Sequence, residues 1–87
     1  MTLEEFSEEM AEVNPDALLA DGFEDAILGY TVGHHSGHVV AYDYEKCVEV
    51  LVNRDGMTHE DAEEFLSFNT LAAYVGPHGP IYVKVIR

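Results

Sequence analysis

The segment 42–75 constrains the fold most strongly, because it carries two helix patterns separated by a well-defined break. Asp43 precedes the largely apolar run 47–52 and has the kind of side chain that caps a first helical turn. Gly56 suits the left-handed conformation that ends a helix, and Thr58 starts a capping box with an acid at the third helical position. We therefore predict helices over 44–53 and 59–74, the first of them largely buried.

The second of these helices has one apolar stripe and one acidic side. At helical spacing the residues that share the stripe are Ala62, Phe65, Leu66, Asn69, Ala72 and Ala73. The acids that lie in or beside the first turn, where the helix dipole favours negative charge, are Glu60, Asp61, Glu63 and Glu64. This helix phase predicts that Phe65 is buried and that its truncation to alanine costs about 3–5 kcal/mol.

The remaining elements are predicted from caps, turns and apolar alternation. Thr2 and Glu5 form a capping box for a helix over 3–12. Strands are predicted over 26–32 and 38–42, joined by a hairpin loop over 33–37, and a last strand is predicted over 81–86. The residues expected in the core are Val48, Leu51, Phe65, Leu66, Leu28, Tyr30 and Val83.

These elements follow one another in the order αββααβ, which predicts a single α+β domain over residues 1–87. One layer is a small three-stranded, mainly antiparallel sheet, and the other consists of helices on one face of that sheet. The pattern leaves open whether the last strand pairs with the first strand or the second.

Composition excludes several classes of protein. The single cysteine, Cys47, rules out an internal disulfide, and its apolar surroundings favour core packing over a nucleophilic role. No stretch approaches the roughly 20 apolar residues of a membrane span, so we expect no membrane partner. The acidic segment 1–10 does not have the pattern of a secretory signal or a transit peptide, which favours a cytoplasmic location.

Charge is the dominant compositional feature. Seventeen acids stand against four bases, a formal net charge of −13, and all the acids lie between Glu4 and Glu64. Direct binding to nucleic acid is not expected, because phosphate contacts need Lys and Arg. The charge either keeps the chain soluble or faces a partner protein with a basic surface. The candidate residues for such a contact are Glu4, Glu5, Glu8, Glu9, Asp21, Glu24, Asp25, Glu60, Asp61, Glu63 and Glu64.

Metal binding is the main alternative for the polar residues. The loop histidines His34, His35 and His38 are candidate ligands, although no acid or cysteine stands beside them in the sequence. A second candidate cluster, at the sheet edge, consists of Asp21, Glu24, Asp25 and Asp43. Neither set matches a known metal or catalytic motif, so we predict no cofactor and no catalytic residue, with a small metal-binding domain or metal-dependent enzyme as the alternative.

Several runs resemble a family of short uncharacterised proteins of phages and bacteria. The resemblance spans roughly residues 18–82 and is carried by 18–26, 42–47, 54–58, 68–69, 73–76 and 80–81. The family has no established activity, so the resemblance implies a setting and no site residues. That setting is the cytoplasm of a phage host, where small acidic phage proteins often bind and block a host machine.

The residues and the resemblance together favour a non-enzymatic inhibitor of a host protein with a basic, nucleic-acid-binding surface. An inhibitor of host defence, such as an anti-CRISPR protein, is one form of this hypothesis. A third hypothesis is a homo-oligomeric structural protein, for instance a homodimer, that associates through the predicted edge strand 81–86.

Overall fold

The computed structural model describes residues 2–33, 37–71 and 76–86. The helices are α1 (Leu3–Val13), α2 (Tyr44–Asp55) and α3 (His59–Leu66), and the strands are β1 (Ile27–Tyr30), β2 (Val40–Asp43) and β3 (Ile81–Val83). A single 3-10 turn, Glu24–Ala26, precedes β1, and a π-helical segment, Ser67–Leu71, follows α3. The predicted α+β class and the order of helices and strands are confirmed.

The sheet has the order β1-β2-β3 and is mixed. β1 and β2 are antiparallel, whereas β2 and β3 are parallel, with Tyr42 opposite Tyr82. The prediction of a mainly antiparallel sheet therefore holds for the first pair alone. A parallel pair needs a long crossover connection, and α2 and α3 lie within this one. The partner of the last strand, which the sequence pattern left open, is the second strand.

Local cap chemistry positions the helices. The Thr2 hydroxyl accepts a hydrogen bond from the Glu5 N–H at 3.1 Å, and an Asp43 carboxylate oxygen accepts one from the Lys46 N–H at 3.1 Å. Gly56 ends α2 with φ +70°, and Thr58 caps α3. The predicted helix starts are confirmed, and α2 continues two residues past its predicted end at 53. Of the predicted third helix, 59–66 is α-helical, 67–71 is π-helical, and 72–74 lies outside the described residues.

A bulge in β1 corrects the predicted strand phase. Ile27 pairs with Tyr42 and Gly29 with Ala41, so the register shifts at Leu28. A bulge inserts one unpaired residue and resets the alternation of faces. As a result Leu28 is 51% exposed, and its predicted place in the core is wrong. Tyr30 lies half-buried at the edge of the core.

The core lies between the helices and the face of the sheet that carries Tyr42. Its fully buried members include Val40, Tyr42, Cys47, Val48, Leu51, Ala62 and Leu66. Phe65 is 38% exposed, so its predicted burial is wrong: Ala62 and Leu66, one turn apart, face the core instead. Asn69 is likewise exposed, and Ala72 and Ala73 lie outside the described residues.

The prediction for the last strand also needs correction. Val83 pairs with Asp43, whereas Tyr82 pairs with Tyr42, so the residue of β3 on the core face is Tyr82. The Tyr42 and Tyr82 rings stack with centroids 5.6 Å apart. Val83 is half-buried and does not belong to the core cluster. Apolar alternation alone did not show which side of this strand faces the helices.

The long connection between α1 and β1 is held in place by specific hydrogen bonds. The Ala20 N–H donates to the Tyr42 hydroxyl at 2.7 Å, and the Arg54 guanidinium donates to the Gly22 carbonyl at 2.8 Å. Gly22 has φ +91°, and a Cβ there would stand 2.8 Å from Arg54 Nη1. These bonds fix the position of the 3-10 turn that carries two of the candidate acids, Glu24 and Asp25.

Candidate partner-binding surface

Every Lys and Arg that the structure describes has an acidic neighbour. Lys46 Nζ lies 3.4 Å from Glu49, Arg54 Nε lies 2.9 Å from Asp55, and Lys84 Nζ lies 3.9 Å from Glu45. The bases of the described surface therefore neutralise acids on or next to α2. Arg54 also interacts electrostatically with Glu24 of the 3-10 turn, whereas among the described residues the acids of α1 and of the start of α3 have no Lys or Arg within ion-pair distance.

The four predicted acids of α1 divide into different roles. Glu4 and Glu8 are exposed. Glu5 is exposed too, but its carboxylate accepts a hydrogen bond from the Thr2 N–H at 3.0 Å, and these contacts with Thr2 lower the pKa of Glu5. Glu9 is half-buried and accepts a hydrogen bond from the Tyr30 hydroxyl at 2.7 Å, which raises the pKa of Tyr30. Glu9 thus fastens α1 to the sheet, while Glu4 and Glu8 face solvent.

The acids before β1 are also exposed. Glu24 accepts a hydrogen bond from the Gly22 N–H at 3.2 Å. Hydrogen bonds from the backbone N–H groups of Glu24 and Gly22 lower the pKa of the Glu24 carboxyl below its usual range. Asp21 and Asp25 are exposed beside it.

Among the residues that the structure describes, the candidate metal ligands do not gather into a metal site. Asp43 is buried and its carboxylate caps α2, whereas the predicted role was to bind a metal ion together with Asp21, Glu24 and Asp25. His38 donates through Nδ1 to the Thr31 carbonyl at 2.7 Å, while His34 and His35 lie outside the described residues. Over the part of the chain that is described, no three His, Cys, Asp or Glu side chains come together as a metal site.

Grooves that share lining residues follow α1, α2 and the start of α3 in the described part of the chain. The α1 groove, about 290 Å³, lies between the start of α1 and the 3-10 turn with β1. The central groove, about 470 Å³, lies between the 3-10 turn and α2, and the α3 groove, about 260 Å³, lies between α2 and His59. Neighbouring grooves share acids: Glu24 and Asp25 line the first two, and Glu49 lines the last two. We call these three connected grooves the acidic belt.

The belt includes two acids that the sequence analysis did not select, Glu45 and Glu49. They stand four residues apart on the side of α2 away from Cys47 and Leu51. The prediction that this helix is largely buried is wrong on that side, where the Lys46 and Glu49 side chains are about half exposed. The spacing of Glu45 and Glu49 in the sequence could have indicated an acidic, exposed side of this helix, because residues four apart share a helix face.

The candidate acids of α3 follow His59 in the chain, and none of them lines the three grooves. Glu60, Asp61 and Glu64 are exposed, whereas Glu63 is half-buried, with its Oε1 3.1 Å from His59 Nδ1. His59 lines the α3 groove. Of the candidate acids, Glu24 and Asp25 line the belt, whereas those of α1 and α3 lie on helices whose first residues, Leu3 and His59, line it.

Cys47 is fully buried, and its thiol is expected to be unreactive in the native protein. Burial, with the nearby Asp43 charge as a second cause, raises the pKa of the thiol to about 11. Because the folded state holds the proton more tightly than the unfolded state, this group favours folding below about pH 9 and loses that effect as the pH rises towards about 11. A thiol-specific reagent at neutral pH should label Cys47 only after denaturant is added. Rapid labelling of the native protein would contradict this burial.

None of the helices in the described ranges combines the length and the apolar character that crossing a membrane requires. No protein-family model matches the chain, and no curated protein and no solved structure matches it either.

Proposed function

We propose that this chain is a non-enzymatic binding protein whose acidic belt docks onto a basic surface of another protein. The observation that carries the proposal is the uneven pairing of charge. The described bases pair with Glu45, Glu49 and Asp55, while other exposed acids have no Lys or Arg within ion-pair distance in the described part of the chain: Glu4, Glu8, Glu60, Asp61 and Glu64. Such a one-signed surface speeds encounter with a surface of opposite sign and disfavours partners of like sign.

A protein that normally binds nucleic acid is a suitable partner for a surface of exposed carboxylates. The Lys and Arg side chains of such a protein are aimed at phosphate oxygens, and exposed carboxylates offer anionic oxygens to the same donors. Occupation of that surface by this chain would exclude the nucleic acid, so binding alone would inhibit the partner. The narrower form of the proposal, an inhibitor of a phage host's defence such as an anti-CRISPR protein, is supported by the resemblance to short phage proteins.

Affinity capture from a bacterial lysate tests the proposal. The immobilised chain should retain a nucleic-acid-binding protein at about 50 mM salt and release it at about 500 mM, because exposed charges are screened within a few ångströms at high salt. Added DNA or RNA should compete for the captured protein. An unrelated protein of similar isoelectric point, immobilised at the same density, controls for simple ion exchange. Capture of the same proteins in the same amounts by both baits would contradict specific docking.

A further inference from the structure

The α1 groove is lined by a group of apolar side chains together with the polar side chains of Thr2, Glu24 and Asp25. Phe6 is buried at its base, and Ile27 is half-buried beside it. Leu3 and Leu28, which also line the groove, are 46% and 51% exposed. Large apolar side chains gathered in one exposed concavity are typical of a contact site, whereas scattered ones need no explanation.

The outward position of Leu28 is a consequence of backbone geometry. Counted from Tyr30, which packs against the core, regular alternation would place Leu28 on the core side, but the register shift between Ile27 and Gly29 leaves Leu28 unpaired and exposed. Bulges frequently re-aim a side chain next to a functional site. The strand thereby supplies one apolar wall of the groove, and Leu3 in the first turn of α1 supplies another.

The acids of the groove determine which kind of partner fits. Glu24 and Asp25 line the groove and are exposed, and Glu4 follows Leu3 in the first turn of α1. A second copy of this chain would bring its own net charge of −13 to the same place, so self-association through the groove is opposed by repulsion. At about 290 Å³ the groove lies at the small end of the range for small-molecule sites, roughly 300–1,000 Å³. Its size and charge suit a single apolar side chain with basic neighbours.

We propose that the α1 groove is the anchor point of the interface and receives an aliphatic or aromatic side chain that lies between Lys and Arg residues in an extended segment of the basic partner. This inference rests on the proposed function and adds its specific contact. The apolar side chain enters between Leu3 and Leu28 over Phe6, while the flanking cations meet Glu24 and Asp25. The apolar contact makes a basic segment with a large apolar side chain bind more tightly than one without it. The charges raise the rate at which either segment associates.

The test uses two short labelled peptides of lysine and arginine that differ at one central residue, leucine or alanine. Fluorescence anisotropy at low salt should show the leucine peptide binding about tenfold more tightly to the wild-type protein, as expected for burial of the larger side chain. The combined change Leu3→Ser and Leu28→Ser should remove this difference and leave salt-dependent binding of the alanine peptide intact. The matched control is Val32→Ser with Ile86→Ser, two residues that are 83% and 94% exposed and do not line the groove, and it should keep the difference.

Nuclear magnetic resonance on the unaltered protein gives a second readout that does not depend on how the variants fold. The leucine peptide, but not the alanine peptide, should shift the amide signals of Leu3, Phe6 and Leu28. Equal binding of the two peptides to the wild type would overturn the groove assignment and leave the proposed function standing. If neither peptide showed salt-dependent binding, both the groove assignment and the proposed function would be overturned. A wild-type dimer that Leu3→Ser with Leu28→Ser converts to a monomer would show that the groove receives a second copy instead.

Discussion

Replacement of Leu66 by alanine is expected to lower the free energy of unfolding by about 2–5 kcal/mol, whereas Phe65→Ala should cost about 1 kcal/mol or less. Leu66 is fully buried in the core cluster that also contains Leu51 and Ala62. Its truncation leaves a cavity that the packed surroundings fill only in part. Phe65 is 38% exposed, so its ring loses less burial when it is truncated.

Urea titrations of both variants test this prediction, because neighbouring residues are compared in the same helix. Leu66→Met serves as the control, since a volume-conserving change in a core usually costs less than about 1.5 kcal/mol. If Phe65→Ala proved the more damaging change, α3 would have to be rotated so that the acids of its exposed side pointed elsewhere. The positions assigned to the α3 groove and to the exposed acids of α3 would then be wrong, together with the helix phase.

Removal of three charges around the α1 groove is expected to slow association with the basic partner by about tenfold or more at low salt. The first set of changes is Glu4→Gln, Glu24→Gln and Asp25→Asn. Each residue is exposed, and after Glu24→Gln the side-chain amide oxygen can still accept the hydrogen bond from the Gly22 N–H. The amides preserve the shape of the side chains, so slower association is attributable to charge. Dissociation should change less than association does, because rim charges act mainly on encounter.

The matched control set removes the same number of charges from α3 through Glu60→Gln, Asp61→Asn and Glu64→Gln. These residues are equally exposed but do not line the α1 groove. We expect a smaller reduction than for the first set, because these charges do not line the α1 groove and an exposed charge acts mainly on partner charges within about one Debye length. Stopped-flow or surface-binding measurements give both rates. Equal effects of the two sets would show that total charge, and not its position, governs binding.

The helix ends could be predicted from the sequence because cap chemistry is local. Thr2, Asp43, Gly56 and Thr58 each act within about one turn of their own position, and each does so in the structure. The buried side of α3 was harder to predict, since Phe65 and Leu66 are adjacent and both apolar. The choice between them depends on packing against α2, which periodicity does not contain.

The features that were missed depend on contacts between distant parts of the chain. The bulge at Leu28 is defined by pairing with β2, and the parallel position of β3 is defined by how the connection through α2 and α3 crosses the sheet. The candidate site shows the same limit. The acidity of α1 and α3 was visible in the sequence, but the fold alone places Glu24 beside α1 and joins Glu49 to both neighbouring grooves.

The salt dependence of the association rate of the wild-type chain with its captured partner tests the central claim most directly. Measured from about 50 mM to about 500 mM salt, the rate should fall by at least about tenfold, since steering between surfaces of opposite charge weakens steeply as ionic strength rises. An association rate and an affinity that stay constant over that range would contradict the claim. The net charge of −13 would then serve solubility and not recognition.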